Sequence, residues 1–163
     1  VIVRLGIDFQ VFPERKWTNA IVPYEISSKY SKCLGTLGKP IHEILHALGI
    51  FHEQARADRD EHVTILLNNI DPSRLYNFRK QSKGNTTYLF PYDYESVMHY
   101  GAYFFSKERF YPTIVPKKHG ARIGQRIMMS KGDCLKINAL YECFDKDTFT
   151  TNKYKAFCNY LAY

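Results

Sequence analysis

The sequence has 163 residues, 45% hydrophobic and 15% aromatic, which fits one folded domain and excludes a globally disordered chain. Lysine and arginine outnumber aspartate and glutamate by 23 to 16, for a formal charge of +7. These basic residues are spread along the chain with no nucleic-acid motif, so they read as solvated surface and nucleic acid is not an expected partner.

The opening stretch VIVRLGIDFQVF is interrupted by Arg4 and Asp8 and does not form a signal-peptide core. No apolar run anywhere is long enough for a membrane span. Residues 19–26, NAIVPYEI, read as a strand with Pro23 at an edge or bulge. Trp17, the single tryptophan, reads as core packing. Residues 27–40 are rich in Ser, Gly and Lys and read as loop. Pro40 then suits the first position of a helix that runs to Leu48 and stops at Gly49. Residues 62–67, HVTILL, make a short strand candidate. A second helix begins at 71–80, with Asp71 as its cap and Pro72 next. Residues 81–129 read as turns and short strands, TIVP from Thr113 among them. Residues 130–143, SKGDCLKINALYEC, place Ser130 and Asp133 as a variant capping box before a further helix. The tail, 144–163, is polar and aromatic and carries no motif.

The four cysteines are Cys33, Cys134, Cys143 and Cys158. None forms CxxC, so a finger-type structural zinc site is not expected. An even count fits a secreted protein with disulfides, and three pairings stay open. NTT at Asn85 is a glycosylation sequon and also favours secretion.

The chemistry concentrates in HEILHALGIFHEQARADRD, from His42 to Asp60. Ile41, Ile44, Leu45 and Leu48 fall at i, i+3, i+4 and i+7 and form one apolar stripe. His42 and His46 lie one above the other on the opposite side, where two imidazoles reach one metal ion. Glu43 sits beside His42 and can lean toward a water on that ion. Gly49 permits a positive φ, so the chain can turn sharply and return His52 as a third ligand. Three neutral imidazoles leave zinc a position open for water, the mark of a catalytic site. A lone histidine would read as core, but five fixed positions matching together are rarely supplied by chance in so short a chain.

His42, Glu43, His46, Gly49 and His52 spell the HExxHxxGxxH signature of the metzincin metallopeptidases. With Glu53 and QARADRD following, the motif resembles the astacin family. YDYESVMHYG, from Tyr92 to Gly101, is similar to that family's Met-turn, and IVPY, PTIVP, IGQR and INALYEC resemble its segments in the same order. The resemblance implies an α+β catalytic domain over 17–143, with a zinc helix, a C-terminal helix and an irregular C-terminal subdomain. It implies one catalytic Zn²⁺ held by His42, His46 and His52, with Tyr100 as an outer ligand that swings away to stabilise the oxyanion. Glu43 would be the general base and proton shuttle, Met98 the apolar floor beneath the metal, and a peptide or protein the substrate. Glu53 would reach toward the N-terminus freed by propeptide removal. Arg56, Asp58 and Arg59 would form structural ion pairs.

The chain departs from the family between 25 and 41. That length cannot supply the helix and strands astacins carry there. A truncated N-terminal sheet is therefore expected, leaving the stripe Ile41, Ile44, Leu45 and Leu48 exposed unless something else covers it, and the substrate without an open sheet edge. Cys33 and Cys143 resemble positions whose partners lie in the missing stretch. They are left to pair with each other, with Cys134 or Cys158, or to stay free. Residues 1–16 read as an N-terminal segment or propeptide remnant. Two functions follow: a secreted zinc metalloendopeptidase, or a catalytically impaired zinc-binding module or incomplete splice or gene-model product. Oligomeric state is left open.

Overall fold

The computed structural model describes residues 14, 17, 21–23, 25, 37–82, 90–144 and 147–161. The N-terminal segment 1–16 apart from Glu14, the sequon at Asn85 and Cys33 lie outside these residues. So does most of the strand expected at 19–26, whose described residues 21–23 and 25 carry no strand.

Helix α1 spans Gly38–Ala47, starting two residues before Pro40. Pro40 is tolerated because it lies in the first turn, where its missing N–H has no intrahelical partner to lose. The helix starts hard against the backbone of Arg126 and Ile127, at a glycine whose Cβ would collide with them. Gly49, at φ 95°, turns the chain off its C-terminal end. Strand β1, Val63–Ile65, pairs antiparallel with β2, Ile114–Pro116, in the register Val63 to Pro116 and Ile65 to Ile114. Val63 and Ile114 face inward with Ile70, Phe78, Tyr92 and Tyr100.

The second expected helix is 3-10 in form, Pro72–Phe78, capped as expected by Asp71, whose carboxylate accepts from the Ser73 amide at 2.9 Å. Helix α2, Lys131–Leu140, opens on the full reciprocal capping box of Ser130 and Asp133. The tail, which carries no motif, forms helix α3, Thr148–Leu161. Its buried anchor is Cys158, bonded to Cys134 on α2. That disulfide, rather than an apolar stripe, fastens α3, and so periodicity does not reveal it. Cys143 is free, which removes its pairing with Cys134 or Cys158. The result is an α+β fold with a two-stranded sheet among the described residues.

The apolar stripe of α1 is only partly bare. Leu45 is 2% exposed, in a cluster with Ile50, Val97, Met98 and Leu140, and Ile41 packs against that cluster. Leu48 lines an open apolar hollow of about 280 Å³ with Trp17, Val22, Ile137 and Tyr141. Trp17 is tied there by its Nε1, which donates to the Ala47 carbonyl at 2.7 Å. Ile44 alone remains at 51% exposure. Helix α2 and the turn at 96–99 thus take over much of the surface expected to be left without a partner, each buried leucine contributing about 1.5–3 kcal/mol.

Candidate metal centre

His42 and His46 project from successive turns of α1, and the bend after Gly49 returns His52 to meet them. Their ligand atoms all lie within 4.8 Å of one another, positioned to bind a metal ion. Hydrogen bonds on the far side of two rings fix their tautomers. His42 Nδ1 donates to the Val97 carbonyl at 2.8 Å and His46 Nδ1 to the Ile50 carbonyl at 2.9 Å. A carbonyl only accepts, so both Nδ1 atoms carry the proton and both Nε2 atoms present lone pairs.

The Nε2 of His52 lies 3.0 Å from that of His46 and 3.3 Å from that of His42. Two Zn–N bonds of about 2.0–2.1 Å at a tetrahedral angle place their nitrogens roughly 3.3 Å apart, so this spacing fits a zinc ion. Burial, followed by the His46 and His42 charges, brings the His52 pKa down to about 3. Burial also lowers His42, against the opposing Val97 bond and Glu43 charge. Both rings are therefore neutral, as ligands must be.

Glu43 is exposed on α1, and its charge is felt at both His42 and Arg126. The Tyr100 ring lies 4.5 Å from that of His52, centroid to centroid, and burial pushes its phenol up, so it is a proton donor at neutral pH. Met98 is fully buried beside Leu45, and its carbonyl accepts from the Glu53 amide at 3.2 Å. The Gln54 Oε1 accepts from the Tyr100 amide at 3.0 Å, so the third-histidine segment and the Met98–Tyr100 turn are stitched side by side.

The turn itself is held from below. Asp133 accepts from Ser96 Oγ at 2.5 Å and from the Val97 amide at 2.8 Å. His99 Nδ1 donates to the Tyr100 carbonyl at 2.7 Å, which leaves its Nε2 to accept from the Tyr92 hydroxyl at 2.7 Å. Arg56 forms the expected ion pairs, two bonds to Asp58 and one to Glu53. Arg59 pairs with Asp60 and donates to the Gln54 carbonyl at 3.1 Å.

Among the described residues the Glu53 carboxylate takes Lys136 at 2.6 Å, Arg56 at 3.0 Å and the Asp93 amide at 2.8 Å; the N-terminus to which the resemblance directs it lies outside them. Burial alone would raise this carboxyl, but the Lys136 and Arg56 charges outweigh burial and hold it below the usual range.

Arg126 is a further neighbour that sequence reasoning missed. The backbone of Gly124, at φ 88°, approaches Gly101 too closely for any side chain. Two residues on, Arg126 donates to the His99 carbonyl at 2.9 Å and stacks 5.4 Å over Phe104. Its charge lowers His42 and His52. The segment IGQR carries no local signal for this placement, which depends on a close approach of Gly124 to Gly101.

The family model described as Astacin, a peptidase family, matches residues 31–142. The zinc metalloproteinase nas-15 of Caenorhabditis elegans is 44% identical over 138 residues, covering 82% of this chain and 24% of that protein. Meprin A subunit alpha of Rattus norvegicus is 48% identical over 105 residues, covering 63% of this chain and 14% of that protein. High choriolytic enzyme 1 of Oryzias latipes, a hatching enzyme zinc-protease of known structure, superimposes with a TM-score of 0.60 at 45% identity. That match covers 65% of this chain and 52% of the fish enzyme. The chain thus spans a quarter or less of these curated relatives' length and about half of the solved structure.

Proposed function

Because the chain belongs to the astacin family of peptidases, we propose that it is a zinc-dependent metalloendopeptidase acting on a peptide or protein substrate. The observation that carries this reading is the convergence of the His42, His46 and His52 ligand atoms within 4.8 Å. The three histidines would hold one Zn²⁺, and Tyr100 would complete its surroundings as an outer ligand in the resting state. Zinc bound there supplies Lewis acidity and brings the pKa of a water toward about 7. Glu43, one residue from His42, would take the proton from the attacking water and return it to the leaving amine. Tyr100 would donate a hydrogen bond to the developing oxyanion. Domain bounds of 17–143 fit this reading. Secretion is supported by the Cys134–Cys158 disulfide, since such bonds persist in oxidising compartments. Among the described residues no helix is long and apolar enough to cross a membrane.

A second reading, a zinc-binding module without turnover, draws on Ile44. This residue is half exposed on α1, and the only sheet among the described residues is β1–β2. One experiment separates the two: the zinc-loaded chain is incubated with a mixed peptide library, with and without a chelator. Chelator-sensitive cleavage supports the enzyme; zinc uptake without cleavage selects the module.

A further inference from the structure

Helix α2 reaches both halves of the histidine cluster from positions one turn apart. Asp133 holds the Val97 amide, and the Val97 carbonyl orients His42. One turn on, Lys136 is 5% exposed and ends on Glu53, which is 3% exposed and directly follows His52. Lysine is seldom buried this deeply without a specific partner. The charges account for it. Arg56 is already gripped twice by the half-buried Asp58, so without Lys136 the buried Glu53 carboxylate has no cation of its own.

The three histidines are not secured equally. His42 and His46 stand on α1, each with a carbonyl on its Nδ1. His52 comes from the loop, and among the described residues its Nδ1 has no hydrogen-bond partner. A metal-binding histidine usually has its second nitrogen held. Here the aim of the ring depends instead on the backbone, and Glu53 fixes that backbone through its amide to Met98 and its carboxylate to Asp93, Arg56 and Lys136.

We infer that Lys136 is a positioning residue for the metal centre, holding His52 in place through the buried carboxylate of Glu53. This rests on the metal-site reading. Lys136 touches no reacting atom; it keeps the loop-borne ligand at the 3.0 and 3.3 Å spacings it makes with the two helical ones.

The test measures Zn²⁺ affinity by competition with a chelating dye, and the visible spectrum of the Co²⁺-loaded chain, for the wild type, Lys136→Arg, Lys136→Met and the pair Glu53→Gln with Lys136→Met. Circular dichroism reports the folded fraction of each. Lys136→Met should bind zinc about tenfold or more weakly while folded, the range expected of outer-shell partners. Its Co²⁺ bands should shift at full loading. Lys136→Arg should restore the bands and bring affinity to within about threefold of wild type, since a cation remains on Glu53. A folded Lys136→Met chain with wild-type affinity and an unchanged Co²⁺ spectrum overturns the inference and leaves the metal reading intact. If Lys136→Met does not fold, the double variant decides, because it leaves no unpaired charge. Affinity about tenfold below wild type supports the inference, and wild-type affinity overturns it. A wild-type chain that takes up no zinc overturns the metal reading and this inference together.

Discussion

His42 is oriented by Val97, a residue 55 positions away, whose carbonyl accepts from its Nδ1 at 2.8 Å. The helical ligand is thereby tied to the turn that also delivers Tyr100, and Asp133 on α2 holds that turn in place. Asp133→Ala removes the acceptor for the Val97 amide and Ser96 hydroxyl, both buried. We expect a loss of roughly 2–6 kcal/mol, at about 1–3 per stranded group, read from a urea unfolding curve. An unchanged midpoint would refute the link.

The metal should stabilise the fold as well as serve it. The three histidine ligand atoms converge where a cation would hold them together, so a ligand in thousandfold excess over its Kd adds about 4 kcal/mol. Chelator should lower the melting temperature by several degrees, and added zinc should restore it. A melting temperature indifferent to chelator would count against the site.

Glu43→Gln keeps the shape of the side chain and removes the base. Zinc content should match wild type while turnover falls by about 10²–10⁴. A mutant that cleaves peptides at the normal rate would rule out Glu43 as the base.

Tyr100→Phe should leave zinc content intact. Loss of one oxyanion donor predicts a drop of about 10²–10³ in kcat with little change in KM. A drop confined to KM would assign Tyr100 to substrate binding instead.

Tyr92 gives a pH signature. Its buried hydroxyl donates to His99, so Tyr92→Phe should cost about 0.5–1.5 kcal/mol at neutral pH. Burial raises this phenol's pKa far above its unfolded value near 10. The folded state therefore holds the proton more tightly, and the stability it confers is complete below about pH 10 and lost as pH climbs beyond. The gap between wild type and Tyr92→Phe should narrow above that point in urea titrations run from neutral to alkaline pH. A gap that stays constant would mean the phenolate is tolerated in place.

Much of this site could be read from the sequence, because its ligands obey local spacing. His42 and His46 are four apart on one helix, and Gly49 marks the bend that returns His52. The Ser130–Asp133 box was likewise visible as a cap, though not as the support of the turn carrying Val97. Lys136 and Arg126 were invisible for a different reason. A lysine three residues after an aspartate looks like an exposed helical pair, and only its burial reveals an 83-residue reach to Glu53. Helix α3 was missed because a single cysteine anchors it and its apolar residues, Phe149, Phe157 and Tyr160, face outward.

The reach from Lys136 to Glu53 also sets an order of events during synthesis. The histidine segment leaves the ribosome long before α2 exists, so the nascent chain carries all three ligands before Lys136 is there to brace the third. Contacts this distant in sequence form late in folding. A chain ending at residue 129 should therefore bind zinc far more weakly than the whole, and the competent centre dates from the arrival of α2, not from the translation of its ligands.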